Sequence, residues 1–330
     1  MTLSLAAAGV ALIAVWLYAV LGGADFGGGV WDLLATGPRA SAQRDAVSNA
    51  IGPVWEANHV WLIFALVVMF TCFPPAFADL ATGLNAPLAL ALLGIVLRGS
   101  AFVFRNYAAD APNVARPWTV VFGAASIVAP FFFGDAAGAL AGGRYAWRSP
   151  FALLTGVFAV VLCAQIAAVF LVHETPAGAL RDDFRRRAVR GTAAVWIVGL
   201  LPAIAARTGE PHFFATLTAP AAIVGISAAL VLGIIVMAGI ALHRDTIARI
   251  AVVLEVIAIL GGWFGAQAPA IVPGRWTLAS AASPPATLEA FLIAAIAGSL
   301  LLVPSLIMLF AVFKRGVRPP DSEMPVPPRS

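Results

Sequence analysis

The feature that most constrains this chain is a series of long apolar segments, separated by short islands that hold nearly all of its charge. Hydrophobic residues make up 61% of the chain and charged residues only 11%, and the mean hydropathy is +0.95. About 20 apolar residues span the hydrocarbon layer of a bilayer as a helix. Because the segments are continuously apolar rather than alternating, they favour helices over a membrane barrel. The chain is therefore predicted to be an all-α integral membrane protein.

Nine segments are long enough to cross the membrane once each. They lie at residues 3–23, 52–73, 79–104, 117–141, 150–173, 188–207, 214–242, 246–268 and 287–313. We therefore expect one polytopic membrane domain over residues 1–314. The remaining residues, 315–330, are rich in proline and are expected to form a disordered cytoplasmic tail.

Basic residues mark one side of the membrane. Sixteen of the 20 Lys and Arg residues end or follow the odd-numbered segments. Cytoplasmic loops carry the excess of Lys and Arg, so this bias predicts an N-terminus outside and a C-terminus in the cytoplasm. The net charge of +4 is spread along this face and forms no patch with base-stacking aromatic residues. No nucleic-acid partner is predicted.

The second segment begins with polar groups in apolar surroundings, Glu56, Asn58 and His59. Glu56 and His59 are three residues apart, which places them on one helix face where they can share a proton or a water. A carboxylate in such surroundings can exchange protons near neutral pH, which indicates a proton-transfer role with His59 as a possible relay. The alternative is structural: Glu56 caps its own helix and His59 is a hydrogen-bonded packing residue.

The end of the first segment surrounds Asp25 with five glycines, at positions 22, 23 and 27–29. Glycine lets membrane helices approach closely. No Lys-Ser or Lys-Thr follows, so a phosphate-binding loop is not indicated. Asp25 is either a polar site facing the bundle interior or a residue of the helix end.

Three further charged residues lie in apolar segments. Arg98 and Arg105 are seven residues apart and on nearly the same helix face. Either they extend toward the cytoplasmic interface, or they anchor an anionic group or pair with a carboxylate. Glu255 has no basic residue near it in sequence, so its partner must come from another helix or subunit, or it is held protonated.

A haem site in this chain is weakly supported. His59 has the chemistry of an axial ligand. The other histidines, at positions 173, 212 and 243, fall near loop ends, and the sequence has no CxxCH motif. We predict no cofactor and no metal ion in this chain.

Four motifs together resemble subunit II of the cytochrome bd-type quinol oxidases. They are GADFG at 23–27, NAIGPVWEANHVWL at 49–62, LRGSAFVFR at 97–105 and PGRWTLASAASP at 273–284. The second motif is specific, and the four follow the order of the family. The resemblance places Asp25 and Glu56 where the family has acids linked to proton uptake, so the two are expected to form a proton-conducting pair. Trp61 lies in the same signature, and we expect Trp61 and Asn58 to have structural or partner-contacting roles.

The resemblance implies two four-helix bundles plus a peripheral helix, in a prokaryotic inner membrane. It implies a heterodimer with subunit I, which would hold two b-type haems, haem d and the quinol site. Such a complex reduces oxygen to water with cytoplasmic protons and is electrogenic. This chain would be its non-redox subunit, inactive alone. A small single-helix subunit, lipid and quinone are possible further partners.

The chain departs from the family pattern at several positions. The family usually has Asp where Glu56 stands, and commonly has Glu where Val103 stands. A divergent branch with another electron donor or altered oxygen chemistry therefore stays open. The alternatives are a secondary transporter, favoured by the glycine-interrupted first segment, and a membrane scaffold without redox chemistry.

Overall fold

The computed structural model describes residues 2–51, 55–108 and 111–315. Within these ranges the chain forms twelve α-helices and one short two-stranded sheet. The helices are α1 (Thr2–Leu33), α2 (Ala40–Ile51), α3 (Trp55–Cys72), α4 (Pro74–Gly83), α5 (Asn85–Tyr107), α6 (Pro112–Ala141), α7 (Pro150–Glu174), α8 (Ala179–Gly209), α9 (Pro211–Thr216), α10 (Pro220–Ala241), α11 (Asp245–Gln267) and α12 (Pro285–Arg315). The predicted tail after residue 315 lies outside the described residues.

Eight of these helices are long and apolar enough to cross a membrane: α1, α5, α6, α7, α8, α10, α11 and α12. The second predicted segment, 52–73, corresponds to α3, whose apolar part, Asn58–Cys72, is shorter than the other eight. Residues 52–54 lie outside the described ranges. The described part of the chain is therefore an all-helical, multi-pass membrane protein with eight full-length candidate spans.

Several predicted boundaries differ from the helices, because hydropathy locates apolar sequence rather than the limits of hydrogen bonding. Segment 3–23 ends ten residues before α1 does, and segment 214–242 runs from α9 across a turn into α10. The predicted segment 188–207 lies inside α8, which begins at Ala179 and includes the whole arginine-rich island. The predicted segment 79–104 is divided, because α4 ends at Gly83 and α5 begins at Asn85.

Helix α1 lies at the centre of the packing. It contacts α3, α6 and α7, and makes smaller contacts with α11 and α12. Helices α5 and α6 pack together, as do α7 with α8 and α10 with α11. The indole Nε1 of Trp31 donates to the carbonyl of Ala164 at 2.7 Å, which ties α1 to α7.

Two glycines allow the close approach of α1 to its neighbours. A Cβ at Gly27 would overlap the backbone carbonyl of Cys163 on α7, and one at Gly29 would overlap the Ser126 hydroxyl on α6. Despite its glycines, α1 is one uninterrupted helix from Thr2 to Leu33. The helix break that favoured a transporter is therefore not present in α1.

A small cap joins distant parts of the chain. Strands β1 (Ala270–Val272) and β2 (Trp276–Thr277) form an antiparallel hairpin. Asp79, in the middle of α4, accepts hydrogen bonds from Arg275 at 2.9 Å and from the Trp276 indole at 3.1 Å. This contact holds the hairpin against α4.

Candidate functional site

The first polar centre is a buried ion pair between α1 and α5. Asp25 and Arg98 are each only 2% exposed. Arg98 Nη2 donates to Asp25 Oδ1 at 2.6 Å and also to the Asp25 backbone carbonyl at 3.1 Å. A charge-assisted hydrogen bond this short is among the stronger polar contacts in proteins. Asp25 therefore faces the interior of the helix bundle and has a fixed counter-charge.

Two more helices complete this centre. Asn58 on α3 is fully buried and donates from Nδ2 to the second carboxylate oxygen of Asp25, Oδ2, at 3.0 Å. Ser126 on α6 accepts from Arg98 Nε at 2.9 Å and donates to the Phe122 carbonyl at 2.7 Å. Four helices thus contribute hydrogen-bonding side chains to one ion pair.

A second ion pair lies seven residues further along both helices. Arg105 Nη1 on α5 donates to Asp32 Oδ2 on α1 at 3.1 Å. The guanidinium carbons of Arg98 and Arg105 each lie 4.6 Å from the centroid of the Phe122 ring, within cation–π distance. Because both pairs advance by seven residues on α1 and on α5, these two helices run in the same direction.

His59 and Trp61 lie further along α3. The His59 ring is half-buried, and its centroid is 6.3 Å from that of Tyr18 on α1 in an edge-on arrangement. Trp61 is also half-buried. Glu56 belongs to the first turn of α3, two residues before Asn58, but its side chain lies outside the described part of the structure.

The second polar centre lies among α7, α8, α10 and α11. Glu255 on α11 is 1% exposed, and its Oε2 accepts from Gln165 Nε2 on α7 at 2.9 Å. The same Gln165 nitrogen lies 3.3 Å from Thr192 Oγ1 on α8. Gly233 on α10 contacts the centre, since a Cβ there would lie 3.0 Å from Glu255 Oε1. Glu255 thus meets a neutral amide on another helix, not a basic side chain.

Several buried polar residues escaped the sequence reasoning. Asp32, Ser126, Asp135 and Thr192 are all 0% exposed. Both carboxylate oxygens of Asp135 lack a hydrogen-bond partner among the residues that the structure describes. The signal that could have found the two acids is the one that identified Glu255, an acid inside an apolar run. Ser126 and Thr192 carry no such signal, because hydroxyl residues are common in membrane helices.

The two centres differ in charge compensation. Asp25 and Asp32 each have an arginine partner, whereas Glu255 has an amide. Within the described ranges there is no group of three or more His, Cys, Asp or Glu side chains that could hold a metal ion. The arrangement is suited to holding charges and protons inside a membrane.

Comparisons with known proteins agree on one family. The family model described as cytochrome bd terminal oxidase subunit II matches residues 3–313. The chain is 29% identical over 171 residues to cytochrome bd ubiquinol oxidase subunit 2 of Bacillus subtilis (strain 168), an alignment of 48% of this chain and 50% of the relative. It is 27% identical over 175 residues to cytochrome bd-I ubiquinol oxidase subunit 2 of Escherichia coli (strain K12), covering 48% of this chain and 45% of the relative. The chain spans about half the length of the curated relatives it matches.

The fold is also similar to a solved structure. The bd oxidase from Geobacillus thermodenitrificans contains a chain that matches with a TM-score of 0.81 at 20% identity. The match covers 95% of this chain and 99% of that chain. At this identity the likeness shows a shared fold.

Proposed function

The chain belongs to the cytochrome bd terminal oxidase subunit II family, and from that premise we propose that it supports a haem-bearing subunit I in a quinol oxidase. The complex would oxidise quinol and reduce oxygen to water, with protons taken from the cytoplasm, and would be electrogenic. This chain would be the non-redox subunit, inactive alone, in a prokaryotic plasma membrane. A small single-helix subunit, lipid and quinone are proposed as further partners.

We place the haems in subunit I, two of b type and one of d type, and none in this chain. Haem iron needs axial side-chain ligands such as His, Met, Cys or Tyr. His59 lies against Tyr18, and the other histidines, at positions 173, 212 and 243, lie near helix ends. The positions of its histidines therefore favour subunit I over this chain as the place of the haems.

The proposed topology has nine crossings, with α3 as the shortest. Helices α1, α3, α5 and α6 would form one four-helix bundle, and α7, α8, α10 and α11 the other, with α12 at the periphery. The parallel course of α1 and α5 supports this order, because the first and third crossings must run in the same direction. The arginine bias supports an external N-terminus and a cytoplasmic C-terminus.

The proposed proton path begins at Glu56. This residue lies in the first turn of α3, two residues before Asn58, which donates to Asp25. Glu56 and Asp25 are proposed as the proton-conducting pair: Glu56 carries the proton, and Asp25, held by Arg98, supplies the negative charge that attracts it. His59, three residues beyond Glu56 on the same face, is proposed as a relay.

The observation that carries this proposal is the convergence of α1, α3, α5 and α6 on Asp25. Burying an ion pair costs several kcal/mol of desolvation per charge, which good geometry and further hydrogen bonds must offset. Four helices supply that geometry here. A charged centre that includes Asn58, two residues along the chain from an acid in the first turn of α3, is a fitting environment for proton uptake.

The test is the substitution Glu56→Gln in the assembled complex. We expect slower oxygen consumption with unchanged haem absorption spectra, because glutamine keeps the size of the side chain and cannot release a proton. Glu174→Gln is the matched control, since Glu174 lies at the end of α7 with a side chain 48% exposed. Wild-type turnover in Glu56→Gln would refute the proton role of Glu56.

Purification separates the proposal from its alternatives. Co-isolation of a coloured, haem-bearing chain supports the oxidase subunit. A colourless monomer that moves solute across liposomes would support a transporter, and a complex in which no acid affects turnover would support a scaffold.

A further inference from the structure

Glu255 carries a carboxyl group deep in the second helix group, which consists of α7, α8, α10 and α11. It lies ten residues after the start of α11 at Asp245, which corresponds to about 15 Å along the helix axis. Its side chain is among the largest that are fully buried. Its hydrogen bond comes from the neutral amide of Gln165.

The charged groups on the surrounding helices have other partners or lie elsewhere. Helix α10, Pro220–Ala241, contains no Asp, Glu, Lys or Arg. Most charged residues on α11 and on the helices around it are in ion pairs. These pairs join Asp245 to Arg185 and Arg181, Arg249 to Glu174, Asp25 to Arg98, Asp32 to Arg105, and Asp183 to Arg39 and Arg186. The other titratable residues are Cys163 beside Gly23, Tyr18 beside Phe133, His173 on α7, and Asp182, Arg187, Arg190 and Arg207 on α8. None of these contacts reaches Glu255 within the described residues.

A buried carboxylate without a counter-charge is costly. The cost of an isolated ionised group in an apolar interior is so large that the group binds a proton instead. One hydrogen bond from a neutral amide offsets only a small part of this cost, because the same carboxylate would be hydrogen-bonded by several waters outside the protein. The geometry therefore favours the neutral acid.

Two more polar atoms near this acid lack partners. The indole nitrogen Trp196 Nε1 and the amide oxygen Gln165 Oε1 are both buried, and neither has a hydrogen bond to any described residue. A Cβ at Gly233 would lie 2.6 Å from Trp196 Nε1 and 3.0 Å from Glu255 Oε1. Trp196 Nε1 and Glu255 Oε1 therefore both lie against Gly233, where α10 has no side chain.

We propose that Glu255 is a second proton-binding site, occupied by a proton and joined by one buried water to Trp196 and Gln165. A buried water typically makes two to four hydrogen bonds to polar groups that would otherwise be unsatisfied, and these three side chains supply them. The Gln165 N–H that bonds the acid, and the Trp196 N–H beside the same surface of α10, disfavour a bare metal cation in its place. The site shares no residue with Glu56 or Asp25, so it goes beyond the proposed function.

The two polar centres differ in how each buried acid avoids an uncompensated charge. Arginine keeps the first centre charged, whereas a proton keeps the second neutral. The second helix group thus holds a protonated carboxylic acid, Glu255, that has no arginine partner.

Infrared difference spectroscopy on the purified, resting complex tests this inference. We expect a carbonyl band of a protonated carboxylic acid that shifts in D₂O, is lost completely in Glu255→Gln and persists in Glu174→Gln. The absence of any such band difference between wild type and Glu255→Gln at neutral pH would show an ionised Glu255 and overturn the proposal.

A second set of variants tests the water and leaves the acid in place. Gly233→Ala fills the surface beside Trp196 and Glu255, and Trp196→Phe removes the indole donor. Both should shift the frequency of the acid band. Gly239→Ala is the control, because it adds the same methyl group to α10 against Ala248, six residues away. An unshifted band in both Gly233→Ala and Trp196→Phe would exclude the bridging water.

These outcomes are separable from a failure of the proposed function. The band is read from the resting protein, without turnover, and therefore does not depend on whether Glu56 carries protons. If Glu255→Gln does not assemble, Glu255→Asp provides the same reading, because its acid band must differ in frequency from that of the wild type.

Discussion

Breaking the Asp25–Arg98 pair should cost far more stability than breaking an exposed pair of the same chemistry. The substitution Arg98→Met keeps an apolar chain between the rings of Phe26 and Phe122, where the guanidinium lies at 5.4 Å and 4.6 Å from the ring centroids. It removes every hydrogen bond from Arg98 to Asp25 and Ser126. Asp25 is then left buried with only the amide of Asn58.

The expected magnitude follows from burial. Removing one partner of a buried ion pair destabilises proteins by about 3–5 kcal/mol, because the other charge stays uncompensated. The side chains of Arg98 and Asp25 are 3% and 0% exposed, so this range applies. The matched control is Arg275→Met, whose pair with Asp79 has a similar distance of 2.9 Å but an arginine side chain that is 50% exposed. An exposed pair contributes about 0–1 kcal/mol.

The assay is the free energy of unfolding of the assembled complex, measured by titration with SDS in mixed micelles. A double-mutant cycle with Asp25→Asn isolates the pair, because the double variant should be more stable than the sum of the single losses predicts. Equal losses in Arg98→Met and Arg275→Met would refute the claim that burial decides the strength of these pairs. Additive losses in the cycle would refute the coupling itself.

Two further predictions concern packing and pH. Gly29→Ala should destabilise the complex by about 1–3 kcal/mol, because its Cβ would overlap the Ser126 hydroxyl. Gly9→Ala in the same helix is the control, since a Cβ there meets nothing within 4 Å and the change should be close to neutral. Thermal melts of both variants check this, and equal melting temperatures would contradict it. Burial, assisted by the negative charge of Asp79, raises the pKa of Tyr145 from 10 to about 12. The protonated Tyr145 therefore stabilises the folded state below pH 10, and this stabilisation is lost as the pH rises through the folded-state pKa. Between about pH 10 and pH 12, Tyr145→Phe should lose less stability than the wild type in an alkaline denaturation series. Identical curves would contradict the assignment.

The sequence by itself determined the solvent of this protein and the approximate course of its helices. Apolar length is a local property, so α6, α7 and α11 lie close to the segments expected at 117–141, 150–173 and 246–268. The motif around Glu56 also identified the family, because a polar signature at the start of an apolar segment is rare enough to be specific.

Only the tertiary structure decided which polar groups meet. Asp25 and Arg98 are 73 residues apart, and Gln165 and Glu255 are 90 apart, so no local spacing joins them. Ser126 carries no signal in sequence, yet it completes the first centre. The physical reason is that a buried charge takes its partner from whichever helix packs against it, and packing depends on distant glycines such as Gly29 that let the backbones approach.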